Sequence, residues 1–260
     1  MSGWAARFVD GLWAQRRITF TRAEIESSLG KSPTGVYQAL RRLEEHGRVA
    51  MPRRGFYIVM DPPYGAPPAE EWIDDLMRFH EVSYYVGGLS GAALHGAVDA
   101  RPFDLHVVAG ATFRPLGLGP VRFLYRGRMK GAVVEERPTP YGTFRVGTPE
   151  MTALDLVHYR VPFDEAAAAI ARLSVVLDRD RLDAACKANR SFPDIQRLGH
   201  LLDEAGRGEL LAKWARGVRS LGVAWAPLVR GAPCRGCERD RRWRVLVNVD
   251  PAVAVRRWTT

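Results

Sequence analysis

Cysteine is scarce: Cys186, Cys234 and Cys237 are the only three in 260 residues. An odd number cannot all pair within one chain, and so few exclude a disulfide-built fold. Long apolar runs are missing too, so no stretch is suited to span a bilayer. The opening residues, MSGWAARFVDGLWAQRR, have neither the apolar core nor the cleavage site of a secretion signal. The expected location is therefore the cytoplasm, with no membrane partner. There is no glycine-rich phosphate loop ending in lysine, no nucleophile elbow and no internal repeat. His46, His80, His95, His106, His158 and His200 do not cluster at ligand spacing. The one CxxC, Cys234 to Cys237, lacks the second pair a structural zinc requires and reads as a surface loop. No metal and no cofactor is expected.

Positive charge is in excess, at +9, and arginine supplies far more of it than lysine. Residues 1–60 hold 10 Lys+Arg against 5 Asp+Glu, residues 61–229 hold 20 against 21, and residues 230–260 hold 8 against 3. The two ends are basic and the middle is neutral, so a polyanion would meet the ends first. The chain is long enough for two domains.

The densest local signals run from Thr21 to Val59. Thr21 and Glu24 fit a capping box, and Phe20 with Ile25 fits a hydrophobic staple. Gly30 suits a helix end, Ser32 a new cap and Pro33 the first helical position. Val36, Leu40 and Leu43 recur at helical spacing and face inward. The opposite face carries Ser32, Thr34, Gln38, Arg41 and Glu45, flanked by Tyr37 and Arg42, a set suited to base edges and phosphates. After Gly47 the period shortens to that of strands. Val49 and Met51, then Phe56 and Ile58, alternate around a Pro52-Arg53-Arg54-Gly55 turn. Helix, turn, helix and basic hairpin make a winged helix-turn-helix, with Arg53 and Arg54 at the wing tip near phosphates or a minor groove. An N-terminal helix with Trp4, Phe8 and Leu12 on one stripe packs under it.

The expected organisation is α+β. A winged helix-turn-helix over residues 1–60 precedes a Pro/Gly-rich linker over 61–69 and a mixed α/β domain over 70–260. That domain has a helix from Glu70 to His80 and an extended stretch at Tyr84–Val86. Strands are expected at Asp104–Ala109, Val121–Tyr125, Val133–Glu135 and Thr143–Val146. Thr148-Pro149-Glu150 starts a helix, and the pattern stays helical to about Val218 with breaks near Asp178, Ser191 to Pro193 and Gly206. One strand, Trp243 to Val249, follows a basic loop.

Two stretches invite a different reading. Gly87-Gly88-Leu89-Ser90 followed by Asp104-Leu105-His106 loosely follows the Gly-Ser pair and paired carboxylates of nucleotidyltransferases, which hold two metal ions. His106 stands where the second carboxylate belongs, and imidazole serves hard Mg²⁺ poorly. The plain reading has Ser90 capping a short helix. A nucleotidyltransferase-like or nuclease enzyme carried to nucleic acid by its winged helix is nonetheless the alternative function. Arg239, Arg241, Arg242 and Arg244 around Trp243 suit either an auxiliary nucleic-acid contact or a solvated rim.

The N-terminal winged helix, then YYVGGLSGAALHG, then VGTPEMTALDLVHY, together resemble the AbiEi antitoxin family of type IV toxin–antitoxin systems, over roughly residues 5 to 220. The resemblance implies a transcriptional repressor that binds inverted repeats in its own promoter. It also implies a partner toxin resembling a nucleotidyltransferase, neutralised through the C-terminal domain, and no enzymatic activity. The positions it assigns to double-stranded DNA are the helix from Ser32 and the Arg53-Arg54 wing. It assigns no toxin-contact residue and does not reach the basic C-terminal end.

Overall fold

The computed structural model describes residues 3–61 and 65–249. Residues 62–64 of the expected linker, and the chain after 249, lie outside the described residues. The fold is α+β.

The N-terminal unit runs α1 (Gly3–Ala14), β1 (Thr19–Thr21), α2 (Arg22–Leu29), α3 (Pro33–Glu45), β2 (Val49–Arg53) and β3 (Phe56–Val59). The expected two-stranded hairpin gains a third strand, because β1 pairs antiparallel with β3 and the order becomes β1-β3-β2. Ala5, Val9 and Leu12 form the buried stripe of α1, with Trp4 and Phe8 at its margin rather than at its centre. The β2 pairing shifts register between Ala50 and Arg53, which breaks the expected alternation and leaves Met51 exposed.

All four residues of β3 are buried, because the strand is covered on both faces. Tyr57 and Val59 point to the core made with α1, α2 and α3. Phe56 and Ile58, one residue out of phase, point the other way. With Ile18 they join Trp72, Ile73, Leu76 and Met77 in a core shared with the rest of the chain. Thr19 Oγ1 adds a 2.6 Å hydrogen bond to Asp75 across the same boundary.

Beyond the linker a short 3-10 helix (Ala69–Glu71) leads into α4 (Ile73–Phe79), β4 (Tyr84–Val86), α5 (Gly88–Leu94), β5 (Leu105–Ala109), β6 (Val121–Tyr125), β7 (Val134–Thr139) and β8 (Gly142–Gly147). The five strands form one mixed sheet, β6-β5-β4-β8-β7, with the antiparallel pairs β4/β5 and β7/β8. Its two faces bury different partners. Tyr84, Val86, Val107 and Val146 face α4 and the N-terminal unit. Tyr85 and Val108 face a helical layer of α6 (Pro149–His158), α7 (Phe163–Leu173), α8 (Arg179–Asn189) and α9 (Phe192–Glu204). The sheet is the middle layer of the molecule, covered on both sides.

Two of the helix starts are made by capping side chains. Thr148 Oγ1 accepts from Met151 N–H at 3.4 Å, and Asp178 Oδ1 accepts from the N–H groups of Asp180 and Arg181 at 2.9 Å each. After α10 (Ala212–Ser220) come three short strands rather than one: β9 (Ala226–Pro227), β10 (Glu238–Asp240) and β11 (Val245–Val247). No helix among the described residues is long and apolar enough to cross a membrane.

Candidate nucleic-acid interface

α3 is built by local chemistry. Gly30 ends α2 in a left-handed conformation, φ 57°, which costs glycine little. Ser32 Oγ then accepts from Gly35 N–H at 3.2 Å, and Pro33 opens the helix. At the start of α2, Thr21 Oγ1 accepts from Glu24 N–H at 3.1 Å. The reciprocal half of the expected capping box is absent, because the Glu24 carboxylate pairs with Arg17 at 2.8 Å instead.

Val36, Ala39, Leu40 and Leu43 bury one stripe of α3, which leaves the other face to water. Ser32, Thr34, Tyr37, Gln38, Arg41 and Arg42 are all exposed, Tyr37 by 53%. Gln38 and the Arg42 guanidinium have no protein partner among the described residues. Arg41 Nε lies 2.9 Å from Glu45 Oε1, one turn on. Sequence reasoning missed Arg22, whose Nε pairs with Glu26 at 2.7 Å while Nη2 donates to the Pro33 carbonyl at 3.2 Å. That bond ties the start of α2 to the start of α3. The i,i+4 spacing to Glu26 was the only signal of it.

The two arginines of the Pro52–Gly55 turn part company. Arg54 is exposed at the turn. Arg53 is directed at the second unit, where its guanidinium donates to the Arg114 carbonyl and lies 5.9 Å over the Phe113 ring. The expectation that both stand free at the tip is corrected for Arg53. The cause is the outer face of β3: Phe56 packs on Phe79, ring centroids 5.6 Å apart, and draws the turn onto the body.

The glycine–serine run and Asp104-Leu105-His106 do come together, as scaffold. Ser90 is not a cap; it lies inside α5, where Oγ donates to the Asp104 carbonyl at 3.1 Å and accepts from His106 N–H at 2.8 Å. Burial, then Arg122, lowers the pKa of His106, so its imidazole stays neutral at physiological pH. Gly87 makes room for a carboxylate: a Cβ there would collide with Asp155 Oδ2.

Asp155 is fully buried and accepts from Arg126 Nη2 at 2.5 Å and from the Tyr85 hydroxyl at 3.0 Å. Burial pushes its pKa up, while Arg126 and Tyr85 pull the other way. Arg126 Nη1 reaches Asn189 at 3.2 Å, and Asn189 Nδ2 reaches Asp194 at 3.3 Å. Asp194, also fully buried, gathers His158 at 2.7 Å, Arg230 at 2.6 Å and Arg197 at 3.2 Å. This chain of charges pins the sheet to the helical layer. Its Asn189, Asp194 and Arg197 members are near one another in sequence, but Arg126, Asp155, His158 and Arg230 are brought in from far along the chain, so sequence patterns did not show it.

Cys234 and Cys237 are free, half-buried thiols at a turn. Among the described residues no group of three or more His, Cys, Asp or Glu side chains comes together as a metal site.

The molecule is thus a two-part α+β protein whose smaller part presents a bare polar helix while its body is cross-braced by buried ion pairs. Residues 12–59 match the family model described as transcriptional regulator, AbiEi antitoxin, and residues 85–204 match that of the AbiEi antitoxin C-terminal domain. Two AbiEi antitoxin models thus match in series, one over the N-terminal unit and one over the body of the chain. No curated protein matches the chain. Among solved structures it is similar to the crystal structure of RV2827C protein from Mycobacterium tuberculosis. The TM-score is 0.70 over 99% of this chain and 94% of that one, at 18% identity, a likeness of fold alone.

Proposed function

We propose that the protein is a sequence-specific DNA-binding repressor and the antitoxin of a type IV pair, regulating its own operon at promoter inverted repeats. Its N-terminal unit works as a winged helix-turn-helix. Ser32, Thr34, Tyr37, Gln38, Arg41 and Arg42 enter the major groove, and Arg54 meets the backbone or minor groove. Arg53 holds the wing to the body, and a DNA contact by it requires release of the Arg114 carbonyl.

The carrying observation is the contrast between the two sides of α3. One stripe is buried, while the polar face is open along its length with Gln38 and Arg42 unpaired among the described residues. Hydrogen-bonding side chains that no protein group satisfies are what base edges and phosphates require. The regulator-family match over residues 12–59 covers this helix.

The partner toxin is expected to resemble a nucleotidyltransferase and to be encoded next to this chain. The test has two arms. The purified protein should shift DNA from its own upstream region in preference to a scrambled duplex, and co-expression should relieve growth arrest by the neighbouring gene product. Equal shift of both duplexes removes the repressor half, and unrelieved arrest removes the antitoxin half.

A further inference from the structure

The basic C-terminal end lies beyond both family matches, which stop at residue 204. Residues 230–249 hold six arginines against Glu238 and Asp240. Their folded arrangement distinguishes which of them serve the interior.

Trp243, at the centre of the basic run, is not available to a ligand. It is fully buried, its Nε1 donates to Asp203 at 2.8 Å, and its ring lies where a Cβ on Gly199 would stand, 2.5 Å away. Arg242 stays exposed but is tied to the fold, donating to the Gly208 carbonyl at 3.2 Å and pairing with Asp203 at 3.3 Å. Asp240 is consumed by the fold: it pairs with His200 at 2.8 Å and accepts the N–H groups of Arg242 and Trp243 at 2.8 and 3.2 Å. These bonds clamp the β10–β11 hairpin to α9.

The remaining cations point to water. Arg235, Arg239 and Arg241 are exposed and have no carboxylate partner among the described residues. The guanidinium centres of Arg239 and Arg244 lie 5.7 and 5.5 Å over the Trp225 ring, a stack that restrains both without neutralising either. The hairpin therefore carries three exposed arginines against one exposed carboxylate, Glu238, because Asp240 is already engaged. Held cations in excess of their local acids suit a run of phosphates, and guanidinium forks match phosphate oxygens.

We propose that the β10–β11 hairpin is a second, sequence-independent contact to duplex nucleic acid, made by Arg239 and Arg241 with Arg235 beside them. The inference extends the reading of α3 as a DNA reader, and its test separates the two. The full chain is titrated with labelled duplexes of its upstream region and of scrambled sequence, at salt from about 50 to 200 mM. For Arg239→Ala/Arg241→Ala, affinity should fall equally on both duplexes. The slope of log K against log salt should become shallower by roughly 1.8, about 0.9 for each phosphate left without its arginine. Arg239→Lys/Arg241→Lys should keep most of the slope. Gln38→Ala/Arg41→Ala should lose only the preference for upstream DNA, so a failure of the α3 reading leaves this result readable. An unchanged slope in a double alanine variant that melts like the parent overturns the proposal, including the case where the hairpin serves an acidic protein instead. Absence of salt-dependent duplex binding by the unaltered chain overturns it as well.

Discussion

Replacing Arg41 with alanine tests the proposed DNA-reading face with little collateral damage. The side chain is 66% exposed and its partner Glu45 54% exposed, so water screens their 2.9 Å pair. An exposed i,i+4 pair is worth about 0.3–0.5 kcal/mol, and alanine's better helix propensity returns part of that. The fold should therefore survive with a melting temperature close to that of the parent. Binding should not survive so well. If the guanidinium forks onto a guanine, its loss costs about 1–3 kcal/mol, or roughly 5- to 140-fold in affinity for the cognate site. The two effects differ enough in size to be told apart. Glu45→Gln is the matching control, since it frees Arg41 and removes a carboxylate from the path of the phosphates, so binding should hold or tighten. The assay is equilibrium binding to upstream and scrambled duplexes at one fixed salt concentration. Loss on the upstream duplex alone marks a base contact, and equal loss on both marks a phosphate contact. Parent-like affinity on both refutes the assignment of this face.

Three further outcomes follow from the packing. Ile58→Ala empties a fully buried position in the core shared by the two units. It should cost about 2–5 kcal/mol and lower one common denaturation transition, whereas an early melt of the N-terminal unit alone would contradict a shared core. Gly199→Ala drives a methyl into the Trp243 ring. A loss of about 1–3 kcal/mol in denaturant titration, with altered tryptophan fluorescence, is expected, and full tolerance speaks against the α9–hairpin contact. For Asp194, burial alone would raise the pKa, but His158 with bonds from Ser191 and Asn189 brings it below the ordinary value. A depressed carboxylate stabilises the fold above its unfolded pKa of about 3.9, and that contribution is lost as pH falls through the folded value. Urea melts from neutral pH to about 3 should show this loss, and Asp194→Asn should flatten the acid limb; an unaltered limb removes Asp194 as its cause.

The caps at Thr21, Ser32 and Thr148, the helix break near Asp178, the helix end at Gly30 and the buried stripe of α3 are legible in the sequence. Each depends on residues three or four apart, and backbone geometry enforces those relations locally. The matched family outline is legible for the same reason, through short runs such as the glycine-rich stretch before His95. Which side of a strand is needed by what cannot be read in this way. β3 has the pattern of a wing strand with one face to water, yet Phe56 and Ile58 complete a core with α4. Arg53 has the local setting of a free wing cation for the same reason. Ser90 has that of a cap, because nothing local shows that it clamps the start of β5.

By itself, then, the order of residues determined where helices begin and stop, which stripe of each is apolar, and that the cationic charge lies at the ends. Tertiary structure alone decided which cations are free. Arg53, Arg126 and Arg197 are drawn to carbonyls and carboxylates brought to them by the fold, while Arg42, Arg54, Arg239 and Arg241 are left to solvent. The physical reason is that burying a charge is costly unless a partner is brought to it. Chain topology brings such partners together, and no local pattern encodes that meeting.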